Sequence, residues 1–182
     1  YRSNGDLWAA TDAGASRFDT QTGTWTNYSA AQGLGSNTVN MLLEHSNGDL
    51  WAATEGGLSK LVLGQDQWYS DTSPQAPETP VFRLLGTRNG QTILALTENV
   101  LYRNDVATTK GWEKVLVSGN EKEIINGGSI PRHSRSEIYD IVRDRLGYPI
   151  QPKFYGMAES DSSVIWIAAT DGVHRYDSVN RK

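Results

Sequence analysis

The run Ser3-Asn4-Gly5-Asp6-Leu7-Trp8-Ala9-Ala10-Thr11 returns unchanged 43 residues later, as Ser46-Asn47-Gly48-Asp49-Leu50-Trp51-Ala52-Ala53-Thr54. An identity of that length within one chain requires a fold built from copies of one unit. A period of about 40 to 45 residues is that of propeller blades. The tryptophans keep the same spacing. Trp8 and Trp51 are 43 apart with Leu94 another 43 on, and Trp25, Trp68 and Trp112 follow one another at 43 and 44. Trp166 lies in Val164-Ile165-Trp166-Ile167-Ala168-Ala169-Thr170, a further copy of the first motif. All six tryptophans, Trp8, Trp25, Trp51, Trp68, Trp112 and Trp166, thus fall on one of two repeat positions, which assigns them to packing between blades rather than to stacking on a ligand.

The second repeat reads most fully. Val39 to Glu44 is a short apolar strand, and Asn47-Gly48 supplies a hairpin turn that tolerates positive φ. Leu50 to Thr54 is the next strand, Glu55-Gly56-Gly57 turns the chain, Leu58 to Leu63 returns, and Gln67-Trp68-Tyr69 closes the unit. Four short strands joined by turns make an antiparallel meander. Ala52 and Ala53 beside Trp51 are small enough to let neighbouring sheets approach while the indole fills the gap. The whole is read as one all-β propeller segment over residues 1–182. Its blades span about 1–30 (partial), 37–71, 80–117 and 154–182 (partial).

The third repeat is degenerate but in register: Phe82 stands for Val39, Asn89-Gly90 for Asn47-Gly48, Leu94 for the tryptophan. Before it, residues 73–80 form a proline-rich connector, expected to be extended and without helix. From Phe82 to Phe154 the chain is 29 residues longer than one period, which places an insertion at residues 118–153. Inside it, Ser134-Arg135-Ser136-Glu137 has capping-box spacing, and Ile138, Ile141, Val142 and Leu146 follow at helical intervals before Gly147 and Pro149. Arg145-Leu146-Gly147 also resembles the inter-blade Gly33-Leu34-Gly35, so a short helix running into an ordinary blade connection satisfies both readings.

The pattern Asp/Asn-Gly-x-Leu-Trp-x-x-Thr-x-x-Gly-Leu-Ser-x-Phe/Tyr-Asp, then Thr-x-Thr and Tyr, then Gly-Leu-x-Ser-Asn-x-Val, resembles the two-component regulator propeller repeat. Residues 3–44 carry it nearly throughout, residues 45–70 and 154–177 well, residues 81–112 weakly, and the insertion not at all. The resemblance implies a β-propeller in the periplasmic or extracellular sensor region of a bacterial signalling protein. There, several blades ring a channel in which small molecules such as oligosaccharides are sensed. The first repeat lacks its first strand and the last repeat its last. These remnants overlap rather than complement one another, so a segment of a larger propeller is expected, its open faces covered by further blades or by another copy of the chain.

Chemistry is fainter. Asp6, Asp49 and the pair Glu159 and Asp161 lie at or near hairpins, where turn chemistry accounts for acids without catalysis. The histidines, His45, His133 and His174, show no metal-ligand spacing, and His45 and His174 fall at strand positions. Absence of cysteine removes thiolate chemistry, and a net charge of −4 argues against a nucleic-acid surface. No apolar run approaches the roughly 20 residues of a membrane helix. The first five residues do not read as a signal peptide, so any targeting segment is expected to have been removed or to lie outside this sequence. Neither a catalytic group nor a cofactor is expected. The readings are a non-catalytic ligand sensor, a protein-docking scaffold, and, third, a propeller lyase or hydrolase. The candidate binding residues are Arg132, His133 and Arg135, a cationic stretch after Gly127-Gly128-Ser129-Ile130-Pro131. A guanidinium pair there suits a carboxylate or sulfate through charge-assisted, bidentate hydrogen bonds.

Overall fold

The computed structural model describes residues 5–108, 110–117, 154–160, 164–169 and 172–177. The expected insertion helix, with Arg132, His133 and Arg135, and the acid Asp161 lie outside them. Fourteen strands are described, all antiparallel within their sheets. They are β1 (Leu7–Thr11), β2 (Gly14–Asp19), β3 (Thr24–Tyr28), β4 (Val39–Glu44), β5 (Leu50–Thr54), β6 (Gly57–Leu61) and β7 (Trp68–Ser70). They continue as β8 (Arg83–Gly86), β9 (Thr92–Leu96), β10 (Val100–Asp105), β11 (Trp112–Val117), β12 (Phe154–Glu159), β13 (Val164–Ala169) and β14 (Gly172–Asp177). They form four sheets, β1-β2-β3, β4-β5-β6-β7, β8-β9-β10-β11 in space as in sequence, and β12-β13-β14. Each is a meander, and together they are blades 1 to 4 of a β-propeller. The innermost strands pack in succession, β1 on β4, β4 on β8 and β8 on β12.

A blade between two others has no polar face, which explains why Leu50-Trp51-Ala52-Ala53-Thr54 does not alternate in character. All five residues of β5 are buried. Leu50 and Ala52 pack towards blade 1 with Leu61 and Trp68, against Ala15, Tyr28 and the partly buried Trp8. Trp51 and Ala53 pack towards blade 3, with Leu58, against Ile93, Ala95, Tyr102 and Trp112. The third joint follows the same scheme with a leucine in place of the indole. Leu94, Leu96 and Leu101 of blade 3 meet Phe154, Ile165, Ile167 and Tyr176 of blade 4.

The turns also follow from the residues. Gly48 takes φ 84 in the first hairpin, where His45 N donates to Asp49 O at 2.9 Å and Gly48 N to His45 O at 2.8 Å. His45 therefore belongs to the turn and not to the strand, because the Asn-Gly pair starts the reversal directly after Glu44. Gly33 has φ 95, and a Cβ there would stand 1.9 Å from Trp68 O, so only glycine lets the blade 1–2 connection cross the outer strand. The same connection contains a 3-10 turn, Ala30–Gln32, closed by a capping box in which Ser29 and Gln32 satisfy each other's backbone N–H groups. The connector over 73–80 is not uniformly extended. Ala76 N donates to Ser73 O at 3.1 Å and Gln75 adopts φ 57, because Pro74 fixes a turn there.

The six tryptophans divide in two. Trp51, Trp68 and Trp112 are buried and Trp8 is partly buried. Trp25 and Trp166 are 55% and 45% exposed, because they occupy the same repeat positions on the outward faces of blades 1 and 4. Trp68→Ala is accordingly expected to lower unfolding free energy by about 3–5 kcal/mol through lost transfer and a cavity. Trp25→Ala should change it by less than about 0.5 kcal/mol. Equilibrium denaturation of the two variants checks this, and equal losses would contradict the assignment of faces.

Candidate functional site

Two ends of the blade stack carry polar groups. At the end bearing the first hairpins, the groups serve the fold. The residue opposite the second-strand tryptophan, or opposite the Leu94 that replaces it, is a cation at each repeat, Arg17, Lys60, Arg103 and Arg175. Arg17 Nε donates to Asp6 Oδ2 at 2.8 Å, and Lys60 Nζ lies 2.7 Å from Asp49 Oδ2 and 5.3 Å from the centre of the Trp51 ring. Blade 3 has Thr92 at the aspartate position. Asp105 replaces the lost charge, accepting from Arg103 Nε at 2.8 Å and from Thr92 Oγ1 at 2.9 Å. Arg103 also reaches across the joint, donating to the Tyr176 hydroxyl at 3.2 Å. Burial works against the charged Arg103, but Tyr176 and Asp105 outweigh it and raise its pKa further. A pocket of about 340 Å³ opens beside this pair, lined by Asn89, Gln91, Thr92, Ala107 and Thr108 as well.

The acids at these hairpins are engaged in the same way. Burial pushes the Asp49 carboxyl up, but Lys60, the Leu63 N–H and Asn47 outweigh it and hold it below the usual range. Glu159 accepts the Arg88 backbone N–H at 2.7 Å, and Ser46 Oγ donates to Gly90 O at 3.1 Å, so neighbouring first hairpins are tied together. His45 is buried with Nδ1 3.0 Å from Asn47 Oδ1, and His174 packs edge-on to Phe154 at 6.1 Å. Among the described residues no group of three His, Cys, Asp or Glu is placed to hold a metal ion.

The opposite end differs. β4 and β12 each begin with a register irregularity at the same repeat position. Asn40 is skipped between the Val39–Thr54 and Met41–Ala53 pairs, and Tyr155 between Phe154–Ala169 and Gly156–Ala168. In blade 3, Phe82 N donates to Leu96 O at 2.9 Å while Arg83 pairs with the same Leu96. Bulges of this kind re-aim a side chain and recur beside functional sites. Here they fall at an amide and a phenol, Asn40 and Tyr155, while the guanidinium of Arg83 stands at the same repeat position at the start of β8, which pairs without a shift. Tyr155 is 60% exposed and Arg83 is exposed. Asn40 is held, its Nδ2 donating to Glu55 Oε1 and to Val81 O, both at 2.9 Å. Exposed polar groups on a backbone fixed by Phe154 N to Glu98 O and Val81 N to Thr54 O bonds can hydrogen-bond a polar ligand, and the Tyr155 ring offers it an apolar face.

The sequence reading missed this trio. Its signal is present: aligned repeats agree at buried positions and disagree in chemistry at 40, 83 and 155. β12 begins at Phe154, one residue before this trio's tyrosine.

Residues 33–56 match the family described as two component regulator propeller. No curated protein matches the chain. Among solved structures, the extracellular domain of a putative one component system from B. thetaiotaomicron aligns with TM-score 0.67 and 13% identity, over 94% of this chain and 19% of that one. The extracellular domain of a putative hybrid two component system from the same organism aligns with TM-score 0.65 and 16% identity, over 97% of this chain and 21% of that one. The β-propeller domain of Cps50 (Swd1) from Myceliophteria thermophila aligns with TM-score 0.57 and 13% identity, over 100% and 53%. The chain thus spans about a fifth of the length of the two B. thetaiotaomicron proteins. At these identities the likeness establishes the propeller fold.

The depressed Asp49 pKa has a signed consequence. Its ionic contribution to stability is complete above the unfolded value, near about pH 4, and is lost as pH falls through the lower folded value. The stability difference between the wild type and Asp49→Asn should therefore be constant at neutral pH and shrink in acid. Urea unfolding from about pH 7 to about pH 3 measures it, and a difference independent of pH would refute the ionic role.

Proposed function

We propose that this chain, a β-propeller segment carrying the two component regulator propeller repeat, is a non-catalytic ligand-sensing part of a bacterial signalling protein. In this reading it is displayed in the periplasm or outside the cell, and a small polar ligand, an oligosaccharide or an acidic sugar, settles at the mouth of the innermost strands. The observation that supports the proposal is one repeat position, skipped by the strand pairing in β4 and β12 and standing at the start of β8, that holds Asn40, Arg83 and Tyr155 on an otherwise apolar scaffold. An aromatic face beside hydrogen-bonding groups suits a saccharide, which has both apolar C–H faces and hydroxyl edges. Arg83 adds a charge-assisted contact for a carboxylate or sulfate. Arg132, His133 and Arg135, which lie outside the described residues, stand as a second, separate cationic candidate for an anionic ligand.

The turn acids support a non-catalytic reading, since Asp6, Asp49 and Glu159 are engaged by neighbours that the blades themselves need. Isothermal titration against neutral and acidic oligosaccharides tests the proposal. Tyr155→Ala should weaken binding of any ligand, by about tenfold or more. Arg83→Ala, and Arg132→Ala with Arg135→Ala, should weaken acidic ligands selectively without lowering thermal stability. Failure of every saccharide to bind, or turnover of a bound one, would overturn it.

A further inference from the structure

Asn40 belongs to two blades at once. Strand pairing skips it at the start of β4. Its amide Nδ2 donates to Glu55 Oε1, on the second hairpin of its own blade, and to Val81 O, at the entry to blade 3, both at 2.9 Å. Val81 is itself fixed, since its N–H donates to Thr54 O at 3.0 Å. A carboxylate and a backbone carbonyl are acceptors only, so the group that faces both is the amide nitrogen, and both of its hydrogens are spent there. Turning the amide over would set three acceptors against one another.

What Asn40 has left is Oδ1. Among the described residues it accepts no hydrogen bond, and it is not buried. At this position blade 2 therefore offers acceptors alone, the amide oxygen and the second oxygen of the exposed Glu55 carboxylate. Blade 3 offers donors alone. Arg83 is exposed, gives one N–H to Phe82 O at 2.9 Å, and has no carboxylate partner among the described residues. Tyr155 of blade 4, 60% exposed, adds a ring face and a hydroxyl. The mouth is polarised from one blade to the next.

We propose that Glu55 is a positioning residue of this mouth: it holds Asn40 with Oδ1 turned to the ligand, so that a bound sugar places a hydroxyl, as donor, on blade 2 and its carboxylate or sulfate on Arg83 of blade 3. The inference rests on the reading of the mouth as a saccharide site, and narrows it to acidic sugars bound in one orientation. The reverse orientation sets an anion against the Glu55 carboxylate and the amide oxygen, and leaves Arg83 without the charge-assisted bond it can make.

Isothermal titration tests this with oligogalacturonates, oligomannuronates and oligoglucuronates, each set against its neutral galactose, mannose or glucose counterpart. An acidic member should bind more tightly than its neutral counterpart. For that sugar, Glu55→Ala should weaken binding about fivefold, and Glu55→Gln should recover the loss, because the glutamine carbonyl accepts the same bond. Asn40→Ala should weaken binding too, and Glu55→Ala added to it should cost nothing more, since Glu55 acts through Asn40. Removing the hydroxyls of the sugar one at a time should find one whose loss weakens binding to the wild type but not to Asn40→Ala. Glu55 is exposed, so its two variants should keep the wild-type melting temperature, and they decide the claim alone if Asn40→Ala melts lower. Tighter binding of the neutral counterparts, Glu55→Ala binding as the wild type does, or additive losses in the double variant would overturn the inference and leave the saccharide site standing. Absence of binding by every sugar would overturn the saccharide reading and this inference with it.

Discussion

The edge-on contact between a second-strand indole and the outer-strand indole of the next blade fixes the rest of the architecture. Two joints have it, Trp8 on Trp68 and Trp51 on Trp112. An aromatic pair in that geometry adds about 0.5–1.5 kcal/mol beyond the area it buries. The geometry also needs the alanines that follow the second-strand tryptophan, since larger residues at Ala52 and Ala53, both fully buried, would hold the sheets apart. Trp112 adds a polar anchor, its Nε1 donating to Asp71 of the preceding blade at 2.6 Å. Where blade 3 has Leu94 instead, the smaller residue is matched by Phe154, Ile165 and Ile167 from blade 4, and Arg103 to Tyr176 supplies a hydrogen bond across the joint.

What was legible in the sequence is what a blade repeats. Val39 to Glu44 and Leu50 to Thr54 form the strands read from their composition, and the Asn47-Gly48 hairpin lies between them. Less was legible where neighbours decide. Trp25 and Trp68 hold the same repeat position, and the presence of a blade on one side separates an exposed ring from a buried one. The bulges at Asn40 and Tyr155 depend on pairing register, which no single strand encodes. The Ser29–Gln32 capping box was readable from its spacing, but a three-residue turn leaves no periodic pattern to draw attention to it. The placement of His45 failed by one residue, at the point where strand becomes turn.

The candidate site follows the same division. Groups at regular repeat positions, the cations opposite the tryptophans and the aspartates that hold them, keep blades together, and blade 3 conserves that charge balance by moving its carboxylate from position 92 to Asp105. Among the groups that change from blade to blade at one position, Arg83 and Tyr155 are exposed and can answer to a ligand, while Asn40 is held by Glu55 and Val81 O. A propeller separates the two tasks in space: the sheet faces bind blade to blade, and the ends of the innermost strands are left for recognition.

The central claim, that paired indoles set the register between blades, is tested most directly by a double-mutant cycle on Trp51 and Trp112. Trp51→Ala, Trp112→Ala and the double variant would be unfolded at equilibrium in denaturant. A coupling energy of about 0.5–1.5 kcal/mol or more is predicted, because each ring loses its partner when the other is removed. Losses that add to within about 0.3 kcal/mol would contradict the account, since the two rings would then be filling independent spaces.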